Sequence, residues 1–317
     1  MSVDEAGAEV PASFFSDFQQ CPVYFVNWNQ HSFMTPVHII KADGSVVEFD
    51  PEKLINSLVR SGASHEIADQ ILIQLEAQLH EGTSTKELYK EAYRLLKKQS
   101  KALAGRYKLK KAITELGPSG YPFENFVAAI LKSRGYDVKV GEMVEGKCGV
   151  QHVVDVVAEN DHDHFMVECK FHRDPLRKST IQVPLYIHSR FEDIFALYRH
   201  LPGYKTKLHQ SWIVTNTKFT EDARTYAKCV GLNLISWDYP AGNSLKNWID
   251  YSGLHPITSL QSINKRQKQQ LLDAGLVLCR DIGKRKDVVH TLGLSKKQLM
   301  NLREEASGIC QQNNEKN

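Results

Sequence analysis

The chain lacks the features that mark secreted, membrane-spanning and zinc-binding proteins. Its six cysteines form no CxxC pair, so they suggest neither a zinc site nor a disulfide framework. No apolar run approaches the roughly 18 residues that cross a bilayer, and residues 1–33 contain no Lys or Arg, which a targeting signal needs near its start. No period of about 20 to 50 residues repeats, which excludes a solenoid. These absences predict a cytoplasmic protein with no membrane partner.

Charge is spread unevenly along the 317 residues, whose net charge is +3. Residues 1–33 carry four acidic and no basic side chains, whereas residues 254–317 carry 11 Lys or Arg against 6 Asp or Glu. The composition, 42% hydrophobic and 24% charged, is that of a globular protein, and the length allows two or three domains. The basic C-terminal segment indicates a polyanionic partner.

Turn signals and periodicity divide the chain into four parts. Asp43-Gly44 is a hairpin signal between the short β-type runs of VHIIKADGSVVEFD, and Pro51 then opens the first predicted helix. Further helices are predicted at about 65–80, 85–98 and 100–115, and the Gly/Pro cluster LGPSGYP marks the main boundary. The predicted parts are a leader of unknown role (1–35), a small α+β domain (36–117), a central domain (118–253) and a short helical domain (254–317).

The central part alternates helices and strands. An amphipathic helix, FENFVAAILKSRGY, ends at Gly135. The strands predicted after it lie at 137–140, 152–158, 164–170, 211–215 and 232–237, and helices are predicted at 181–200 and 219–230. Such alternation calls for a mixed or parallel sheet with helices covering its faces. The predicted fold class is therefore α/β with several domains.

Three charged residues interrupt the apolar runs of HVVDVVAENDHDHFMVECK, which spans residues 152–170. Because side chains alternate along a strand, Glu168 and Lys170 face the same way and Cys169 faces the other side. The polar turn ENDHDH lets the second strand return beside the first, which brings Asp155 within reach of Glu168. Two carboxylates and an ammonium are therefore expected to converge.

Such a cluster is costly in a protein interior unless something neutralises the carboxylates, and a divalent cation does so. Hard oxygen ligands select Mg²⁺ or Mn²⁺, which polarises a phosphoryl group and activates a bound water. A nearby lysine can orient that water or stabilise the transition-state charge. The pattern favours metal-assisted phosphodiester hydrolysis. The alternative is a surface salt bridge between Glu168 and Lys170 on an edge strand.

These residues, in this order, resemble the PD-(D/E)xK nuclease superfamily. GYPFENFVAAILKSRGYDVKV and IVTNTKFTEDARTYAKCVGLNLISW resemble its Mrr-like restriction endonuclease branch, over about residues 118–240. The resemblance implies a restriction-endonuclease-like mixed sheet acting on DNA. It also implies that Glu124, Asp155 and Glu168 bind the metal and that Lys170 assists the attacking water. GVQHVVD departs from the Gly-rich approach common in that branch, which leaves the subfamily open.

Residues around this predicted site carry weaker signals. Cys169 is expected in the core, with its backbone carbonyl as a further metal ligand. His172 and Gln182 follow the second strand, where a nuclease contacts the scissile phosphate of DNA. His162 and His164 lie in NDHDH, which we interpret as a polar, solvated hairpin turn rather than as a metal site.

VHIIKADGSVVEFDPEKL resembles the start of the ATP-cone, a nucleotide-sensing domain of ribonucleotide reductases and their transcriptional repressor, over about residues 37–115. The resemblance implies ATP or dATP as a regulatory ligand, since a tight hairpin offers backbone donors and lysines neutralise phosphates. The residues that it implicates are Lys41, Asp43, Gly44, Lys53 and Thr85. Ala42 stands where the family usually has Arg, so one contact is absent. The alternative is a degenerate cone that is retained for oligomerisation.

Two basic segments suggest contacts with nucleic acid. Residues 94–112 contain eight Lys or Arg and no acid, which suits a nucleic-acid backbone, cone-bound phosphates or a plainly solvated helix face. HTLGLSKKQLMNL, with LLDAGLVL before it, is similar to helix-hairpin-helix units, which grip DNA phosphates. The contacts implied by that similarity are Lys284, Arg285, Lys286, Lys296 and Lys297. A small dimerising helical bundle is the alternative.

Together these patterns predict a Mg²⁺- or Mn²⁺-dependent endonuclease acting on DNA. Its output is expected to depend on ATP or dATP through oligomerisation of the cone, as a dimer or tetramer. A role in defence against foreign DNA follows only by analogy of fold. The alternative function is a nucleotide-responsive DNA-binding regulator with a catalytically silent nuclease fold, against which the intact acid and lysine set argues.

Overall fold

The structure, a computed structural model, describes residues 36–311. The predicted leader, residues 1–35, lies outside the described residues, as do residues 312–317. None of the helices in the described part is both long and apolar enough to cross a membrane. The described chain forms a small α+β module, a central mixed sheet with flanking helices and a helical C-terminal module, which confirms the predicted fold class.

The N-terminal module is a three-stranded sheet packed against helices. Its elements are β1 (His38–Ile40), β2 (Val46–Glu48), α1 (Pro51–Arg60), α2 (His65–Glu76), β3 (Thr83–Ser84) and α3 (Thr85–Gln99). The strand order is β2-β1-β3, with β1 antiparallel to β2 and parallel to β3. The predicted hairpin is confirmed, because Gly44 adopts a φ of 84° at the turn and Asp43 Oδ1 accepts a 3.0 Å bond from Ser45 N.

Local capping fixes where the helices of this module begin. Asp50 Oδ1 accepts a 3.2 Å bond from Lys53 N, and Pro51 occupies the first helical position, where its missing N–H has no cost. Ser84 and Glu87 form a reciprocal capping box at the start of α3. Ile55 and Leu58 of α1 are buried in the module core, as their spacing predicts.

The single helix predicted at 100–115 is wrong, because the chain breaks there into α4 (Lys101–Tyr107) and α5 (Leu109–Thr114). Ala104 of α4 packs in the core of the N-terminal module. Leu109 and Ile113 of α5 pack in the core of the central module. The break at Lys108 therefore separates the residues that pack in one core from those that pack in the other.

The central module is a five-stranded mixed sheet. Its elements are α6 (Tyr121–Ser133), β4 (Asp137–Glu145), β5 (Gln151–Glu159), β6 (Asp163–Lys170), β7 (Lys178–Ser179), α7 (Gln182–Tyr198), β8 (Leu208–Thr215), β9 (Lys218–Phe219), α8 (Glu221–Cys229), β10 (Asn233–Ile235) and α9 (Leu245–Ser252). The strand order is β10-β8-β6-β5-β4, with β6, β8 and β10 parallel and β4, β5 and β6 antiparallel in turn. Strands β7 and β9 form a separate two-stranded parallel ribbon.

Helices cover both faces of this sheet. On one face α6 and α9 bury large side chains, among them Phe126 and Trp248, against the strands. On the other face α7 and α8 pack against the side chains of opposite parity, with Phe191 fully buried. Strand β6 lies at the centre, so its alternate residues contact both layers: Val167 belongs to the first core and Met166 to the second.

The C-terminal module consists of α10 (Lys265–Asp273), α11 (Lys286–His290) and α12 (Lys296–Cys310), with short 3-10 turns at 257–259 and 279–281. Its apolar residues join the same core as α5, α6 and α9. The carboxylate of Glu305 accepts backbone bonds from Gln261 N (2.5 Å) and Ser262 N (2.8 Å). This buried acid ties α12 to the start of the module.

The C-terminal module also contacts the end of the N-terminal module directly. Arg106 of α4 donates to Ile309 O (2.9 Å) and Gly308 O (2.8 Å), carbonyls at the C-terminal end of α12 that have no helical donor. Thr258 Oγ1 donates to Ala112 O of α5 at 2.7 Å. The three modules are therefore joined by shared packing and by hydrogen bonds between them.

Replacing Arg106 with alanine is expected to loosen α12. Two carbonyls at a partly buried helix end lose their charged donor, which costs about 1–3 kcal/mol of the free energy of unfolding. Urea unfolding of R106A and wild type measures this loss. Lys101→Ala, an exposed change on the same helix, is the control and should stay within about 0.5 kcal/mol of wild type. Equal losses in the two variants would contradict the assigned role.

Candidate active site

Asp155 and Glu168 meet where the β5–β6 ladder ends. The last paired residues are Val156 and Val167, so the next position along the ladder places Asp155 opposite Glu168. Asp155 Oδ2 accepts a 2.7 Å bond from Cys169 N. The convergence that alternation and the hairpin return suggest is therefore present in the structure. Strand β6 is central rather than at an edge, so the alternative of a salt bridge on an edge strand is wrong.

Glu168 forms an ion pair with a residue that the sequence interpretation missed. Its carboxylate accepts from Arg190 of α7, and only 16% of the Glu168 side chain and 11% of the Arg190 side chain are exposed. Ile187, Phe191 and Ile194 share the buried face of this helix, and Arg190 stands on the same face by helical spacing. A basic residue inside an apolar stripe is the signal that could have found it.

Glu124 approaches the two strand acids from α6, which covers the face of the sheet opposite to the face covered by α7. It lies in the first turn of α6, and a Cβ on Gly120 would come within 3.0 Å of its Oε1, so Gly120 leaves space for this carboxyl group. Burial first, and then the charges of Asp155 and Glu168, raise the pKa of Glu124 to about 7. Glu124 is therefore close enough to both strand acids for their charges to act on it.

Burial and mutual repulsion also act on the two strand carboxylates. Burial raises the pKa of Asp155, against the backbone bond from Cys169 and the positive charge of Arg190. Burial and then the charge of Asp155 raise the pKa of Glu168, although Arg190 and Lys170 oppose the shift. Burial thus disfavours the charged forms of both acids, and a cation bound beside them would favour those forms.

The donor set fits a cation that needs few protein ligands. Across residues 36–311, no three His, Cys, Asp or Glu side chains stand in one group ready to hold a metal ion. Asp155 and Glu168 supply two carboxylates, which is the number that Mg²⁺ uses when water and substrate complete its shell. Cys169 follows Glu168 in the chain and its side chain is buried, as predicted, so its backbone carbonyl is the remaining candidate ligand.

Lys170 ends β6 at the border of a surface groove. None of the described carboxylates lies within ion-pair distance of its ammonium group. The groove has a volume of about 450 Å³, and its lining includes Gly120, Lys170, His172 and Arg173. A phosphate group placed in this groove would lie beside the lysine.

His172 and Gln182, the predicted DNA contacts, occupy different environments. His172 is buried: its N–H donates to Asn216 Oδ1 at 2.8 Å, and its Nε2 lies 3.0 Å from Ser179 Oγ. Gln182 is the exposed first residue of α7. His172 therefore shapes the backbone beside the groove, whereas Gln182 offers a free amide to a ligand.

The turn between β5 and β6 differs from the prediction at one histidine. His162 is exposed, as expected of a polar turn, but His164 lies in β6 and is 1% exposed. Its Nδ1 is 2.9 Å from His209 Nδ1, and its ring stacks on Tyr198 at 5.0 Å. Burial lowers the pKa of His164 to about 4. The solvated interpretation fails for His164 because its strand position points it into an aromatic cluster.

The predicted nucleotide residues lie at two ends of the β1–β2 hairpin. Lys41, Asp43 and Gly44 form its tight end, where Ile40 pairs with Ser84 and so places Lys41 beside Thr85. Lys53 follows the open end, in the first turn of α1, and its Nζ lies 2.7 Å from Asp50. Lys41 and Lys53 are both exposed.

The predicted DNA-contacting lysines of the C-terminal module are on its surface. Lys296 and Lys297 open α12 after the capping residue Ser295, and Lys284 lies 3.9 Å from Asp281. All three are exposed. The module also contains a buried lysine, Lys268. Its Nζ donates to Thr258 O at 2.9 Å, so this lysine stabilises the fold of the module.

The buried His164 is expected to make the protein sensitive to acid. Its pKa is about 4 in the folded state and 6.5 ordinarily, so between these values the unfolded chain binds more protons. The free energy of unfolding therefore falls as the pH falls through this window. Urea unfolding between about pH 4 and pH 7 should show a smaller dependence in His164→Phe. His162→Gln, in the exposed turn, is the control, and a wild-type slope in H164F would contradict the prediction.

Three family models match successive parts of the chain. They are the ATP cone domain over residues 37–116, a restriction endonuclease domain over residues 117–241 and an AF1548-like C-terminal domain over residues 255–310. The chain thus carries a nuclease-type domain after a nucleotide-binding-type domain. Their order confirms both resemblances that the sequence motifs suggested.

Two solved structures and one curated protein are similar to parts of the chain. The crystal structure of a protein of unknown function, AF1548, shares 35% identity over 61% of this chain and 98% of its own, with a TM-score of 0.49. The MspJI restriction endonuclease in complex with a 27-mer oligonucleotide shares 13% identity over 42% of this chain and 29% of its own, with a TM-score of 0.26.

The curated relative is an uncharacterized protein of Archaeoglobus fulgidus. It is 36% identical over 184 residues, which is 58% of this chain and 99% of the relative. The match therefore covers nearly the whole relative. In this chain an ATP cone precedes a restriction endonuclease domain and the AF1548-like C-terminal domain. The chain belongs to the family of this archaeal protein, the AF1548-like proteins.

Proposed function

We propose that this protein is a metal-dependent endonuclease that hydrolyses phosphodiester bonds of DNA. The observation that carries the proposal is that Asp155 and Glu168 lie opposite each other at the end of the β5–β6 ladder. Lys170 lies two residues after Glu168, on the same face of β6. The restriction endonuclease domain that contains them supports DNA as the substrate. Defence against foreign DNA, in the cytoplasm where DNA and nucleotides are both present, is part of the same proposal.

Asp155 and Glu168 would hold Mg²⁺ or Mn²⁺, with the Cys169 carbonyl and Glu124 completing the protein's share. When bound, such an ion polarises the phosphoryl group and lowers the pKa of water. Lys170 acts on Asp155 and Glu168 through its charge but forms no ion pair with a described carboxylate, so its ammonium can orient the attacking water and stabilise negative charge on the phosphorus oxygens. Glu124, with its pKa raised to about 7, can exchange a proton near neutral pH.

Arg190 sets the state of Glu168 before a cation arrives. Its guanidinium neutralises this mostly buried carboxylate, which would otherwise repel Asp155. A cation at the site competes with Arg190 for the same oxygen atoms. If the cation displaces Arg190 from Glu168, the guanidinium still has an aromatic neighbour, since it lies 5.3 Å from the centre of the Phe191 ring.

Regulation by ATP or dATP, through oligomerisation as a dimer or tetramer, is the second part of the proposal. Contacts between modules supply a physical route. Phe171, the residue after Lys170, packs so closely on Gly117 that a Cβ there would come within 2.8 Å of its ring. Arg60 of α1 pairs with Asp250 of α9 at 2.9 Å. A change in the cone therefore reaches the strand end that bears Lys170.

A DNA-binding regulator with a silent nuclease fold is the alternative function. The Glu168–Arg190 pair favours it, because an acid that is already neutralised does not require a metal. The position of Lys170 beside two partly buried acids and the raised pKa of Glu124 disfavour it, since such a cluster is costly unless its charges act on a ligand. Binding of DNA without cleavage under every metal and nucleotide condition would establish this alternative.

Asp155→Asn and Lys170→Ala are expected to abolish DNA cleavage while leaving the fold intact. Loss of a charge-stabilising group at the reacting phosphate lowers the rate by about 100-fold or more. Plasmid nicking with Mg²⁺ or Mn²⁺ measures it. Asp137→Asn, exposed at the start of β4, and Lys132→Ala, exposed in the last turn of α6, are matched controls and should cleave like wild type. Equal cleavage by all five proteins would identify a contaminating nuclease and overturn the proposal.

Lys41→Ala is expected to weaken ATP or dATP binding by about 10-fold, because one charge-assisted hydrogen bond to phosphate is lost. Titration calorimetry measures the affinity, and light scattering with and without nucleotide measures the change in mass. Lys90→Ala, exposed on α3, is the control. No heat of binding and no change of mass in the wild-type protein would remove the regulatory part of the proposal.

A further inference from the structure

A short exposed loop carries basic side chains beside the candidate active site. The chain leaves β6 at Lys170, and residues 173–178, which include Arg173, Arg177 and Lys178, are exposed without interruption. Arg173 and Arg177 line the same groove of about 450 Å³ as Lys170. The basic loop thus continues the surface on which a substrate phosphate would lie.

Two lysines stand side by side at the end of this loop. In the parallel ribbon of β7 and β9, Lys178 is the register partner of Lys218, and both side chains are exposed while their neighbours Ser179 and Phe219 are buried. Like charges directly opposite each other in a sheet repel and cost stability. Nothing in the packing of the ribbon requires lysine at either position, because both side chains point to solvent.

Acids compensate this positive charge only in part. Asp174 belongs to the same exposed loop and lines the same groove. Lys218 lies 3.1 Å from Asp238. Within the described chain, Arg173, Arg177 and Lys178 form no ion pair. We call these four basic residues, Arg173, Arg177, Lys178 and Lys218, the basic ribbon. Its charge is available to an anion that approaches from solvent.

The backbone beneath the basic ribbon is held firmly. His172 N donates to Asn216 Oδ1 and Asn216 Nδ2 donates back to His172 O, both at 2.8 Å. Thr220 N donates to Ser179 O at 3.0 Å. The two ends of the loop are therefore tied to the segments that follow β8 and β9. A ligand that binds here does not have to order the backbone first, which preserves affinity.

We infer that the basic ribbon binds the phosphate backbone of duplex DNA next to the bond to be cut. Each strand of a duplex presents one phosphate charge per roughly 3.4 Å of helix axis, and paired residues in a sheet are about 5 Å apart. Lys178 and Lys218 can therefore contact one phosphate together or two in succession. Binding to phosphates alone carries no sequence information, so the contact positions any DNA sequence. The inference deepens the proposed function, on which it rests for the choice of DNA.

The test uses the full chain with Asp155→Asn, which separates binding from cleavage. Anisotropy of a labelled duplex of arbitrary sequence is measured over a range of salt concentrations. Lys178→Ala with Lys218→Ala is expected to weaken binding by about 10-fold or more, and to reduce the slope of log K against log salt by about 1–2, since each lost phosphate contact contributes about 0.9. Arg173→Ala with Arg177→Ala should act in the same direction.

The matched control is Lys132→Ala with Lys139→Ala, which removes the same charge from exposed positions at the other end of the sheet. It should keep the affinity and the salt slope. Thermal melts check the fold: removing the Lys178–Lys218 repulsion should leave the melting temperature unchanged or higher, whereas a lower value would indicate a structural role and overturn the inference.

Three outcomes of the binding measurement would also overturn it: no binding by the parent protein, unchanged binding by the ribbon variants, or equal losses in ribbon and control variants. Failure of the proposed function is distinguished by a separate result, namely absence of cleavage by the wild-type chain. In that case the ribbon variants still report on DNA binding.

Discussion

The antiparallel pairing of β5 with β6 is the constraint on which the site depends. It places Asp155 opposite Glu168 at the end of the ladder, and the central position of β6 then keeps both acids away from bulk water. Their burial and mutual repulsion account for two neighbouring contacts: the Cys169 N–H donates to Asp155, and the guanidinium of Arg190 pairs with Glu168. Burial first, and then the charges of these two acids, raise the pKa of Glu124. A protein keeps such a costly cluster where its charges act on a ligand.

Shared packing and hydrogen bonds join the modules. Helix α5 follows the cone in sequence, yet Leu109 and Ile113 belong to the core that also contains α6 and the C-terminal helices. Arg106 then closes the contact by donating to the end of α12. These residues contact two modules at once, and continuous packing of this kind is one of the physical means by which sites in proteins are coupled.

Local signals predicted most of the elements. Asp43-Gly44 at a hairpin, Pro51 at a helix start and the strand alternation around Glu168 depend on backbone geometry within a few residues, so the sequence reports them directly. The failures share another cause. The break at Lys108, the burial of His164 and the pairing of Glu168 with Arg190 each depend on what lies across the core. A local pattern can at most mark Arg190 as a basic residue in an apolar stripe, without showing which acid it contacts.

By itself the sequence determined the family resemblances, the alternation of helices and strands, and the convergence of Asp155 with Glu168, because a hairpin return leaves little choice of partner. Only the tertiary structure decided that α7 lies over this hairpin and delivers Arg190, and that β7 and β9 pair and set Lys178 beside Lys218. These contacts join segments separated by about 20 to 40 residues. Their geometry is fixed by sheet order and helix packing, which depend on the whole core rather than on any short stretch of chain.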